Sequence, residues 1–73
     1  MIKIQIHSEW ITLGQFLKFS GIIYSGGEVK NFLENNKVIV NEIEEKRRGK
    51  KLFSGDLIMI NGVKYIVTKE NVD

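Results

Sequence analysis

The sequence contains no cysteine and no proline, and only one histidine and one tryptophan. Without cysteine there can be no disulfide, no thiolate metal site and no cysteine nucleophile. Without proline, no rigid break marks a linker. His7 has no second histidine with which to share a metal. It falls on the polar side of an alternating segment and reads as a surface residue. Long apolar runs are also missing. The longest uninterrupted aliphatic run is Leu57 to Ile60, whereas a membrane-spanning helix needs about 20 residues. The start, Met1 to Ile6, alternates apolar and polar residues. A secretory leader would instead carry an apolar stretch of roughly 7–15 residues. No internal repeat or low-complexity segment is present. These absences lead us to expect a soluble, cytoplasmic protein with no membrane partner and no cofactor.

The 73 residues suffice for one domain, spanning 1–73. A domain of this size buries roughly 60% of its unfolded surface, so its core is small. Apolar residues make up 42% and charged residues 27%, a balance that argues against disorder. The charge is unevenly placed. Lys46-Arg47-Arg48-Gly49-Lys50-Lys51 carries five positive charges, while the formal net charge of the whole chain is only +2. Outside this run the chain is net acidic. A local positive patch of this kind suits a protein that docks a polyanion on one face.

Periodicity gives a strand, two short helices and then several short strands. Ile2, Ile4 and Ile6 recur with period two, as in a half-buried strand. Thr12-Leu13-Gly14-Gln15 is a capping box, and Ile11 and Phe16 are placed as a hydrophobic staple. This predicts a helix over 13–19, ended by Gly21. The pattern repeats at Ser25-Gly26-Gly27-Glu28, with Tyr24 and Val29 as the staple and Val29, Phe32 and Leu33 as the apolar face. Asn35-Asn36 ends this helix through a residue that tolerates a left-handed conformation. The two helices form a hairpin. Val38 to Val40 is a strand, and Asn41-Glu42 begins a turn. Leu57 to Ile60 and Val63 to Thr68 are strands joined by Asn61-Gly62, a strong hairpin signal. Asp56, in the Ser54-Gly55-Asp56 turn, has a structural role. Glu70 to Asp73 reads as a frayed end. The fold class is α+β.

Two features have more than one reading. The basic run serves either as a solvated loop that favours solubility or as a phosphate contact. Its adjacent arginines favour the latter, because their planar forks match phosphate oxygens. Glu42, Glu44 and Glu45 precede the run and are not interleaved with it. Gly26 and Gly27 oppose helix formation by up to about 1 kcal/mol each relative to alanine. They answer either to tight packing at the start of the helix or to an anion that approaches bare backbone N–H groups. The spacing fits neither a P-loop nor a dinucleotide fingerprint. Lys30, one turn into the second helix, and Lys37, just past its end, are surface lysines able to extend a positive face. Trp10 and Tyr65 either stack on bases or pack locally, Trp10 beside Ile11. There is no serine–histidine–carboxylate set, carboxylate pair or metal cluster at readable spacing, so no enzyme and no small-molecule substrate are expected.

Taken in order, these pieces resemble the S4 RNA-binding domain, in its small stand-alone bacterial branch of the YaaA and YbcJ kind. The series is Ile11 to Leu17, then Ser25-Gly26-Gly27-Glu28-Val29-Lys30, then Val38-Ile39-Val40-Asn41, then Arg47-Arg48-Gly49-Lys50-Lys51-Leu52, then Gly55-Asp56-Leu57-Ile58. The match covers about residues 11–68. The strand at about 2–6 lies outside it and is expected to add a sheet edge. The resemblance implies an S4-like αL fold, with a two-helix hairpin on a small, mainly antiparallel sheet of 3–5 short strands. It further implies a non-catalytic domain that binds structured RNA, with ribosomal RNA as one candidate, and nothing in the sequence demands more than a monomer. By the family pattern the RNA face comprises Ser25, Gly26, Gly27 and Lys30 with Arg47, Arg48, Lys50 and Lys51, and the charge reading adds Lys37 and Lys46. Many members carry basic residues early in the first helix, where this chain has Leu13, Gly14 and Gln15. That shifts the expected contacts toward the loop. Three rival readings use other chemistry. The same face could meet an acidic protein, the chain could be a ubiquitin-like carrier, or it could be a small enzyme. The ending Glu70-Asn71-Val72-Asp73 lacks the Gly-Gly on which such carriers act.

Overall fold

A computed structural model describes residues 1–70. The elements in order are β1 (Ile2–Ile6), β2 (Trp10–Thr12), α1 (Leu13–Phe19), a 3-10 turn (Gly26–Glu28), α2 (Val29–Asn35), β3 (Val38–Val40), β4 (Ile43–Glu44), β5 (Lys51–Phe53), β6 (Leu57–Ile60) and β7 (Val63–Lys69). The fold is α+β, as expected. The strands form two sheets, a five-stranded one in the order β1-β7-β6-β3-β4 and a separate ribbon of β2 and β5. All pairs are antiparallel except β1 with β7. β1 is an edge strand, as expected.

Local chemistry explains most boundaries. The capping box at α1 is complete. Gln15 N–H donates to Thr12 Oγ1 at 3.2 Å, and Thr12 N–H donates to Gln15 Oε1 at 2.8 Å. At the other end, Gly21 adopts φ +80°. Its N–H donates to the Lys18 carbonyl at 3.0 Å, and that of Ile22 to Leu17 at 3.1 Å. This paired closure needs a left-handed residue, which glycine supplies without steric cost. The turns at Asn41-Glu42 and Asn61-Gly62 each place both residues at positive φ, the conformation that joins antiparallel strands in two residues.

Three expectations are corrected. Ser25 caps the second helical segment and Glu28 closes the box, as expected, but the first turn is not α-helical. Gly26–Glu28 forms a 3-10 turn, and the α-helix starts at Val29. The hairpin is therefore shorter than expected. Tyr24 does not staple to Val29, because it is 91% exposed while the neighbouring Ile23 enters the core. Asn36 is extended, at φ −131°. The helix ends instead on amide side chains, with Asn35 Nδ2 donating to the Asn31 carbonyl at 2.8 Å and Asn36 Nδ2 to Phe32 at 3.0 Å.

The core lies between the helices and one face of the large sheet. Leu13, Phe16 and Leu17 of α1 and Val29 and Leu33 of α2 are buried with Val38, Val40, Ile58, Ile60 and Val67 of the sheet. Tyr65 packs edge-on to Phe16, with ring centroids 5.7 Å apart. It is partly buried and packs against the core, the local-packing reading of the two the sequence left open. Asp56 has the structural role assigned to it. Its carboxylate accepts from Phe53 N–H at 2.7 Å and Asn41 Nδ2 at 3.0 Å. His7 is exposed and pairs with Glu70 at 2.6 Å. Glu70 is not frayed, since its N–H donates to the Ile6 carbonyl at 3.1 Å. The rest of the predicted frayed end, 71–73, lies outside the described residues. Among the described residues, no helix is long and apolar enough to cross a membrane, and no cluster of three or more His, Cys, Asp or Glu could hold a metal.

Candidate nucleic-acid interface

The first turn of α1 has backbone N–H groups with no intrahelical partner. The basic loop supplies two of the missing acceptors. Leu13 N–H donates to the Lys50 carbonyl at 2.8 Å, and Gly14 N–H to Arg48 at 2.9 Å. Gly14 lies close under α2: a Cβ there would meet Val29 Cγ1 at 3.3 Å, tighter than an ordinary contact, and the Arg48 carbonyl oxygen at 3.5 Å, an ordinary one. Further ties fix the loop. Glu45 N–H donates to Val38 at 2.9 Å, and Lys50 N–H to Arg47 at 3.2 Å. Lys46 Nζ reaches the Leu33 carbonyl near the end of α2 at 3.2 Å. The loop is thus anchored to both helices and to the sheet, which disfavours the reading of a loose solubilising segment.

Two adjoining depressions follow from this anchoring. One is lined by Thr12, Gly14, Gln15, Lys18, Gly26, Val29, Arg48 and Gly49. The other is lined by Lys30, Leu33, Lys46 and Arg48. Arg48 belongs to both and stands where the two helix starts and the loop converge. Among the described residues, no carboxylate lies within ion-pair distance of Lys18, Lys30, Lys46 or Arg48.

The remaining expected site residues fall in different places. The Arg47 guanidinium is taken up inside the loop, where Nε and Nη2 each donate to Glu45 at 3.0 Å. That hydrogen-bonded pairing holds the Glu45 carboxyl down at about 2, well below the usual carboxylate range, and raises Arg47 in turn. Glu45 is therefore part of the loop and does not stand apart from it. Ser25 N–H and Oγ donate to Glu28 Oε2 at 2.9 and 3.2 Å, and Tyr24 N–H donates to it at 3.0 Å. The Ser25 and Tyr24 backbone bonds lower the Glu28 carboxyl. The bare anion site expected around Ser25 already holds a carboxylate of the chain itself. Gly26 lines the first depression, and Gly27 is exposed beside it. Lys37 lines a separate depression with Ile39, Met59, Asn61 and Gly62. Lys50 is half-buried, with its carbonyl on α1.

Lys51 ends the basic run with its Nζ 4.5 Å from the centre of the Trp10 ring. Trp10 faces Phe53 across the ribbon, and the two are 40% and 47% exposed. Lys18 was missed in the sequence, although it lies one turn after Gly14 on the same helical face, a spacing that carried the signal.

Fold and site together define a small α+β domain that presents cations from an anchored loop beside two helix starts. A model of the S4 domain matches residues 4–68, and the chain belongs to the S4 domain family. It is similar to a probable ribosome maturation protein, RlbA, from Bacillus subtilis (strain 168). The two are 51% identical over 59 residues, covering 81% of this chain and 83% of that protein.

Proposed function

We propose that this protein is a non-catalytic RNA-binding domain that docks as a monomer on structured RNA of the ribosome in the cytoplasm. The observation that carries the reading is the pair of backbone bonds from Leu13 and Gly14 to Lys50 and Arg48. They turn a run of charges into a fixed surface. Membership of the S4 family and the similarity to a protein named for ribosome maturation support the same reading. Lys18, Lys30, Lys46 and Arg48 meet phosphate oxygens, with Lys50 and Lys51 extending the face toward the ribbon. Gly26 and Gly27 let the phosphate backbone approach closely. Such contacts supply affinity and register but carry no sequence information. A-form RNA hides its base edges in a deep, narrow groove, so folded RNA is read mainly by shape.

Sedimentation of cell lysate through sucrose gradients at low and high salt tests this reading. Co-migration with ribosomal subunits at low salt, lost at high salt, is the expected outcome. Migration only at the top of the gradient at low salt counts against a ribosomal target. Retention on a protein partner after nuclease treatment would turn the same face into a protein-docking surface.

A further inference from the structure

We propose that Trp10 and Phe53 form a platform that stacks one unpaired base of the bound RNA. The domain would then prefer a duplex that adjoins single-stranded nucleotides over an uninterrupted one. This rests on the RNA-binding reading above and names the class of RNA that the site selects. The geometry comes from the ribbon register, in which Trp10 faces Phe53, Ile11 faces Leu52 and Thr12 faces Lys51. Side chains alternate across a strand. Leu52 is fully buried and Ile11 packs against the core, so Trp10, Phe53, Thr12 and Lys51 share the outward face. A cross-strand aromatic pair does help hold a ribbon together. That role does not account for the surroundings of this pair.

Those surroundings are suited to a nucleotide. Lys51 is the last residue of the basic run, and Thr12 lines the first depression beside Lys18 and Arg48. The platform is therefore continuous with the proposed phosphate face. The neighbouring acidic groups are neutralised or engaged. Glu9 is paired with Lys69, and Asp56 is held by Phe53 N–H and Asn41. A base brings a flat π-face for the aromatic rings together with a phosphate for Lys51. An apolar protein surface would leave the Lys51 ammonium unmatched. In the free protein Lys51 covers the indole by a cation–π contact. A stacking base takes that position, and the flexible lysine turns to the adjoining phosphate.

Trp10 is the sole tryptophan of the chain, so its fluorescence reports on the platform directly. The full chain is titrated with a blunt RNA duplex and with the same duplex carrying short single-stranded overhangs. The proposal expects quenching by the overhang RNA and about tenfold tighter binding of it, within the range found for one base stacked on an aromatic ring. Phe53→Ala and Trp10→Ala, checked for folding by circular dichroism, are expected to bring the preference close to one. Phe53→Ala keeps the fluorophore and carries the test if Trp10→Ala does not fold. Equal binding of both RNAs with unchanged fluorescence overturns the platform and leaves the RNA-binding reading intact. Failure to bind either RNA overturns both.

Discussion

Gly14 and Gly26 both sit at helix starts, yet only the first is closely packed. A side chain at Gly14 would press on Val29, which would have to give by a few tenths of an ångström. At Gly26 an added Cβ would meet only the tip of Lys18, at 3.9 Å, and at Gly27 only Ser25 Oγ, at 4.0 Å. Neither glycine has positive φ. The packing explanation left open by the sequence therefore does not hold for Gly26 and Gly27. Gly26→Ala and Gly27→Ala should each raise stability by up to about 1 kcal/mol, seen as a Tm increase of a few degrees, while weakening RNA binding. Higher Tm with unchanged affinity would show that RNA does not approach these two glycines. The two arginines should also separate. Arg48→Ala should weaken binding and lower the salt slope by about 1, whereas Arg47→Ala should act mainly through the order of the loop. Glu45 makes this testable by pH. The Arg47 hydrogen bonds hold the Glu45 carboxyl at about 2, down from the ordinary 4.5 of a glutamate. The pair thus steadies the loop fully above pH 4.5 and fades as pH falls through about 2. Amide chemical shifts of residues 45–50, followed through an acid titration, should move near pH 2 in the native chain and lose that transition in Glu45→Gln. The sequence disclosed the charges of this loop. It did not disclose the Glu45–Arg47 pairing, which depends on how the loop bends.

At the level of elements, legibility followed the range of the interactions. Helix α1 was readable to the residue because Thr12, Gln15 and Gly21 are all local signals. Thr12→Ala should cost about 1 kcal/mol in thermal denaturation. The start of α2 was misplaced because the Ser25–Glu28 bonds serve a 3-10 turn equally well. Strands β2, β4 and β5 were not recognised as strands. Each has only two or three residues, too few to show a period, and β2 pairs with a strand some forty positions away. Trp10 and Phe53 could not be seen as a pair for the same reason. The β3–β4 turn offers a second test. Glu42 holds φ +73°, a conformation that costs an L-residue roughly 1–2 kcal/mol. Glu42→Gly should therefore raise the thermal midpoint, and an unchanged or lower midpoint would contradict that reading.

For the molecule as a whole, the sequence already implied a positive patch on a nearly neutral protein. The structure adds that the patch is held rigid by backbone carbonyls, which no composition reveals. It also separates Lys37 from the convergent site and brings Lys18 into it. The proposed docking relies on anchored cations that displace counterions from folded RNA. It is tested most directly by the affinity of the purified protein for a folded ribosomal RNA over a series of salt concentrations. If about four phosphates are neutralised, log K should fall with log salt at a slope of roughly −3 to −4. A slope near zero with measurable binding would rule out electrostatic docking.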